Sequence, residues 1–166
     1  MGKSGGKWEK PASNDVFRGA TKVTLDDKGR MVMPNRYRDV IQERAKGQLV
    51  VTVDRGDECL LIFPLPDWEQ AERKLMSLPS FDARARRLQR LIVGHATDVE
   101  LDGHGRFLLP PELRKFAGLE RLGMLVGLGN RFELWDEARW GERRGFWQKS
   151  EEAETETSPL LDSLSL

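Results

Sequence analysis

Apolar and polar residues begin to alternate at Ala20-Thr21-Lys22-Val23-Thr24-Leu25, a β-rich stretch with the two-residue period of a strand. Asp26 to Gly29 turns the chain, and Arg30-Met31-Val32-Met33 predicts a returning strand. The period then changes. Pro34 opens a helix on which Tyr37, Val40, Ile41 and Ala45 share one face, and Lys46-Gly47 closes it. Leu49 to Val53 and Cys59 to Phe63 predict two more strands around a turn at Asp54 to Glu58. Pro66-Asp67-Trp68 starts a second helix that reaches Met76.

Leu78-Pro79-Ser80 interrupts that helix, and Asp82 is placed to cap a third. Leu88, Leu91 and Ile92 stripe it, Arg84, Arg86, Arg87 and Arg90 cover much of the rest, and Gly94-His95 ends it. From Thr97 the earlier order returns. Strand Thr97 to Leu101, a turn, strand Arg106 to Leu109 and a helix from Pro110-Pro111 come first. Strand Met124 to Val126, a turn at Gly127 to Asn130, strand Arg131 to Trp135 and helix Asp136 to Arg144 follow.

The second series copies the first. A shift of 76 positions superposes Val23, Leu25, Asp26, Gly29, Arg30, Pro34 and Arg38 on Val99, Leu101, Asp102, Gly105, Arg106, Pro110 and Arg114, seven identities in sixteen positions. A shift of 72 aligns Leu60, Ile62, Phe63 and Trp68 with Phe132, Leu134, Trp135 and Trp140. Each copy is β-β-α-β-β-α, an α+β unit of about 50 residues, too small to bury a good core alone and so expected to pack against its twin. The repeats are placed at 16–70 and 97–144, with linking helices over 71–96. Residues 1–15, rich in Gly, Ser and Lys, read as an extension outside the fold, or as the product of a start placed upstream of Val16. Residues 145–166 read as an acidic, solvated and mobile tail in which Leu160, Leu161 and Leu164 offer one short apolar contact.

Composition narrows the class. With 166 residues, 39% hydrophobic and 33% charged, the chain reads as soluble and globular, one domain or two small ones. It has no apolar run of about 18 residues and no signal-peptide core, so no membrane partner is expected. The single cysteine, Cys59, excludes an intramolecular disulfide and fits a reducing cytoplasm, and its neighbours Leu60 and Leu61 suggest a buried strand thiol. A formal charge of zero hides a gradient: +3 over residues 16–144, where most bases are arginine, against −4 over 145–166. That permits a polyanionic partner without requiring one.

Most candidate chemistry dissolves on inspection. His95 and His104 have no companion at metal-ligand spacing, and no Ser-His-Asp, His-Glu-x-x-His or Cys-His arrangement is present, so neither a metal, a cofactor nor enzyme activity is expected. Gly127-Leu128-Gly129-Asn130 lacks the third glycine of a phosphate loop and joins two strands. The arginines at 84–90 read as a solvated helix face, and Trp68, Trp135 and Trp140 as core. The duplicated Asp-x-x-Gly-Arg turn remains. Asp26 and Asp102 can accept turn amides, Gly29 and Gly105 supply positive φ, and the arginine four residues on returns to pair with the aspartate. One reading is a structural brace. The other is a braced loop presenting Lys28, Arg30, His104 and Arg106 to a polyanion. The two are compatible, since a carboxylate-oriented arginine is preorganised for a phosphate or a guanine edge.

Further stretches complete a pattern: Phe17-Arg18-Gly19-Ala20, Pro64-Leu65-Pro66-x-Trp68-Glu69, Arg86-Arg87-Leu88-Gln89-Arg90, Gly94-His95-Ala96, Met124-Leu125-Val126-Gly127 and Phe132-Glu133-Leu134-Trp135-Asp136. With the two loops, they resemble the MraZ family of bacterial transcriptional regulators over residues 16–144, with Val16 standing where the family usually starts with Met. The resemblance implies two tandem AbrB-like swapped-hairpin units related by a pseudo-two-fold axis. It also implies a ring-shaped homo-oligomer that binds short G-rich direct repeats of double-stranded DNA in its own promoter, at the head of the division and cell-wall gene cluster, usually repressing. It assigns DNA contact to Arg30 and Arg106, with Arg18 and Lys28 beside them. His104 departs from a basic residue there, which makes the first loop the expected stronger reader. A cytoplasmic, nucleoid-associated protein without a small-molecule ligand follows. The competing reading is an antitoxin-like module that wraps a protein partner with its acidic tail.

Overall fold

A computed structural model of the chain describes residues 16–155 and 158–164; the expected N-terminal extension at 1–15 lies outside the described residues. The first repeat contributes β1 (Phe17–Thr24), β2 (Arg30–Val32), α1 (Asn35–Ala45), β3 (Gln48–Val53), β4 (Leu60–Pro64) and α2 (Leu65–Met76). The second contributes β5 (Thr97–Glu100), β6 (Arg106–Leu108), α4 (Pro111–Ala117), β7 (Leu122–Gly129), β8 (Phe132–Asp136) and α5 (Glu137–Ala153). Between them, α3 (Ala83–Leu88) is capped by the Asp82 carboxylate, which accepts the amides of Arg84 and Ala85, and continues as a π-helical turn over Gln89–Val93. A final short helix, α6, spans Pro159–Asp162. Among the described residues no helix is long and apolar enough to cross a membrane.

Six strands form one antiparallel sheet in the order β1-β7-β8-β4-β3-β5, and β2 pairs with β6 in a separate ribbon. Exchange the repeats and the order reads the same, which is the pseudo-two-fold expressed as topology. Each repeat sends its first strand to the other: β1 lies along β7, and β5 along β3. The turns at Asp26 and Asp102 are therefore not ordinary hairpin turns. Beyond a single bridge between Leu25 and Met31, β1 and β2 pair with the other repeat rather than with each other. The exchange has a physical cause. Pairing β2 with β6 carries Met31, Met33, Phe107 and Leu109 into a shared cluster with Ile41, Leu49, Ile62, Leu113, Phe132 and Leu134, a core neither half could enclose alone.

Two satellite clusters flank the sheet. Val50, Leu61, Phe63 and Trp68 pack under α2 and the π turn. Cys59, Val126 and Trp135 pack against Trp140 and Trp147 of α5. The second cluster corrects the expected end of α5 at Arg144 and the reading of 145–166 as a wholly mobile tail. Trp147 meets Trp135 edge-on at 5.4 Å between ring centroids, and Arg143 sits over the Trp147 ring, so the helix passes Gly145 and continues to Ala153. Leu160, Leu161 and Leu164, expected to make a short apolar contact, are all exposed.

Candidate nucleic-acid interface

Each repeated loop is organised by its aspartate. Asp26 Oδ1 accepts the backbone amides of Lys28 and Arg30, both at 2.9 Å, and Oδ2 accepts Arg30 Nε at 2.8 Å. Asp102 repeats the pattern with the amides of His104 (2.8 Å) and Arg106 (2.9 Å) and with Arg106 Nε at 3.0 Å. The backbone closes the same way in both, through Asp26 N–H to Arg30 O at 2.9 Å and Asp102 N–H to Arg106 O at 2.8 Å. These bonds favour the ionised carboxylate. The backbone amide of Arg106 does most to hold Asp102 at about 2 instead of the ordinary 3.8, and that of Arg30 lowers Asp26.

The brace expected from the sequence is thus formed in both copies, and it leaves something over. Arg30 and Arg106 each use Nε on their own aspartate, while their terminal guanidinium nitrogens have no protein partner among the described residues. Both side chains stay partly exposed, and Lys28 and His104 are exposed at the loop tips. The β2–β6 ribbon holds the two loops together, one at each end, because its strands are antiparallel and each loop directly precedes one of them. Leu109 N–H donates to Gly29 O at 3.0 Å, and Met33 N–H to Gly105 O at 2.8 Å, so each loop is also hydrogen-bonded to the opposite repeat.

Arg18 sits outside the β2–β6 ribbon, near the start of β1, opposite Leu128, where its carbonyl accepts the Tyr37 hydroxyl.

Sequence reasoning missed three neighbours. Arg38 of α1 donates from Nε to Met33 O at 2.7 Å, and Arg114 of α4 from Nε to Leu109 O at 3.1 Å. Their guanidinium groups then lie against the loop glycine of the opposite repeat: a Cβ on Gly29 would overlap Arg114, and one on Gly105 would overlap Arg38. Both glycines also have positive φ, +82° and +75°. The available signal was the identity of Arg38 and Arg114 across the repeat, at helix positions with no apolar role. The third is Arg121, exposed, whose carbonyl accepts the Leu25 amide at 2.7 Å beside the first loop.

Elsewhere, among the described residues, Asp54, Cys59 and Glu133 bring potential ligand atoms within 4.8 Å of one another. Burial, reinforced by the Glu133, Asp54 and Asp57 carboxylates, pushes the Cys59 thiol far up, and Glu133 already accepts Trp135 Nε1 at 2.9 Å.

The family model for MraZ, described as "MraZ protein, putative antitoxin-like", matches the chain twice, over residues 16–91 and 92–159. The chain belongs to the MraZ family. The junction between the two matches falls in the π-helical turn, so the MraZ units coincide with the two halves that exchange strands. Among MraZ relatives, the transcriptional regulator MraZ of Thioalkalivibrio sulfidiphilus is 57% identical over 151 residues, covering 91% of this chain and all of the relative. That of Halorhodospira halophila is 47% identical over 152 residues, again 91% of this chain and the full relative. That of Pseudomonas aeruginosa is 56% identical over 125 residues, 75% of this chain and 83% of the relative.

Proposed function

We propose that this protein is a sequence-specific DNA-binding transcriptional regulator that reads base edges with Arg30 and Arg106. The observation that carries the reading is the pair of aspartate-braced arginines at the two ends of one exposed β-ribbon. With Nε already engaged, each guanidinium keeps its two terminal nitrogens for a ligand, and that pair matches O6 and N7 of guanine in the major groove. The relatives in Thioalkalivibrio sulfidiphilus and Halorhodospira halophila are named transcriptional regulators, which supports the same reading. Lys28 and His104 serve as contacts at the loop tips, the first loop being the stronger because it carries the lysine. Arg18 serves as a further DNA contact.

One such patch binds weakly, so the proposal includes a ring-shaped homo-oligomer that sets several patches in series on short G-rich direct repeats about one helical turn apart. The proposed operator lies in the promoter of its own gene, with repression as the usual outcome, and the protein acts in the cytoplasm on the nucleoid.

Footprinting on the DNA upstream of its gene tests the reading. Arg30→Ala is expected to cost about 1–3 kcal/mol of specific binding with fold and assembly intact. Wild-type affinity should fall steeply with salt, because phosphate contacts release counterions. Normal promoter binding by Arg30→Ala would remove the loop from the interface, and a flat salt response would remove phosphate contacts. A protein-interaction role carried by the acidic tail is separated by a chain lacking residues 154–166: DNA binding should survive that deletion, whereas binding of a protein partner held by the tail would be lost.

A further inference from the structure

Between the two arginines the ribbon exposes two aliphatic side chains that the arginine chemistry does not explain. Successive strand residues face opposite ways. Met31 and Phe107 are 0% and 2% exposed and enter the core, which turns Arg30, Val32, Arg106 and Leu108 outward. Val32 is 44% and Leu108 50% exposed. The register pairs Arg30 with Leu108 and Val32 with Arg106, so the outer face is a two-by-two checkerboard of guanidinium and aliphatic groups centred on the Met31–Phe107 pair.

We propose that Val32 and Leu108 read thymine methyl groups in the major groove next to the guanines taken by Arg30 and Arg106, a specificity that rests on the DNA-binding reading above. Geometry allows it. Two strands about 4.8 Å apart form a ribbon that fits a major groove about 12 Å wide. Side chains two residues apart on one strand are roughly 7 Å apart, the scale of two base-pair steps. Chemistry selects the target. Val32 and Leu108 can neither donate nor accept a hydrogen bond, and the thymine C5 methyl is the one apolar feature the major groove displays. Charge selects the occupant. Arg30, Arg106, Lys28, Arg38 and Arg114 lie in or against the two loops and outnumber Asp26, Asp27 and Asp102 there, which suits a polyanion. A second copy of this chain docking its ribbon on the same face would bring like charges together in an isologous contact.

The test needs no change to the protein in its first arm. The fragment upstream of the gene is amplified with dTTP or with dUTP, which deletes the C5 methyls and keeps base pairing. Wild type is expected to bind the uracil fragment about 5- to 10-fold more weakly. The double variant Val32→Ala, Leu108→Ala, both at exposed positions, is expected to bind the two fragments alike, near the wild-type value on uracil DNA, with unchanged salt dependence and unchanged sedimentation. Equal wild-type affinity for the two fragments overturns the proposal while leaving the DNA reading intact. A double variant that still discriminates thymine from uracil overturns it too. Altered assembly in that variant would give the face to a second copy instead. Failure of wild type to prefer either fragment over random DNA sinks the DNA-binding reading itself, and this proposal with it.

Discussion

A glycine and an aspartate make the recognition loop, and each can be tried singly. Gly105 has φ +75° and no room for a Cβ against Arg38, whereas Gly103, two residues earlier in the same loop, has open space around it and no positive φ. Gly105→Ala is expected to destabilise by about 1–3 kcal/mol, combining left-handed backbone strain with overlap. Gly103→Ala should be close to neutral; paired thermal melts check the contrast. Asp102 gives a pH signature. Its carboxyl sits at about 2 in the fold and near 3.8 when unfolded, so it binds fewer protons folded. Its contribution is complete above about pH 5 and is lost progressively as the pH falls toward 2. The backbone amide resonances of His104 and Arg106 should therefore titrate together in that window, and those of Lys28 and Arg30 should follow Asp26, also lowered. Titration at the ordinary carboxylate pH would mean that the brace does not exist in solution.

At the scale of elements, what the sequence makes legible depends on whether the cause is local. Strand alternation, the proline-opened helices and the Asp82 cap lie where periodicity and capping rules put them, because neighbours in sequence decide them. The end of α5 does not. Gly145 reads as a stop, yet the helix continues because Trp147 finds Trp135 and Trp140, a contact that sequence spacing alone does not show. A chain ending at residue 153 is expected to melt well above one ending at residue 144, by several degrees, since a packed tryptophan is worth a few kcal/mol. Equal melting temperatures would make the last turns of α5 ornamental. The candidate site was legible in part for the same reason. The aspartate–arginine brace lies within five consecutive residues and could be read directly. Arg38 and Arg114 reach their glycines through the opposite repeat, so only their duplication marked them.

For the whole molecule, strand exchange decides what counts as a foldable unit. Residues 16–91 alone leave β1 without β7, β3 without β5 and β2 without β6. That fragment is expected to fold only as a homodimer in which a second copy supplies the missing partners, its circular dichroism and thermal transition fading on dilution. A stably folded monomer would contradict the exchange. The local pattern could not have announced this topology. Alternation in β1 and β2 is satisfied equally by pairing with each other or with the twin repeat, and only the gain of a shared core separates the two.

The crossing of Arg38 onto Gly105 and of Arg114 onto Gly29 has a genetic meaning. A lesion in the first half of the gene, at Arg38, is felt at the second loop, and one at Arg114 in the first. Complementation between separately damaged halves would follow the crossed pairing and not the order along the DNA. Each half carries the support for the other's loop, so a change in either is read out in both.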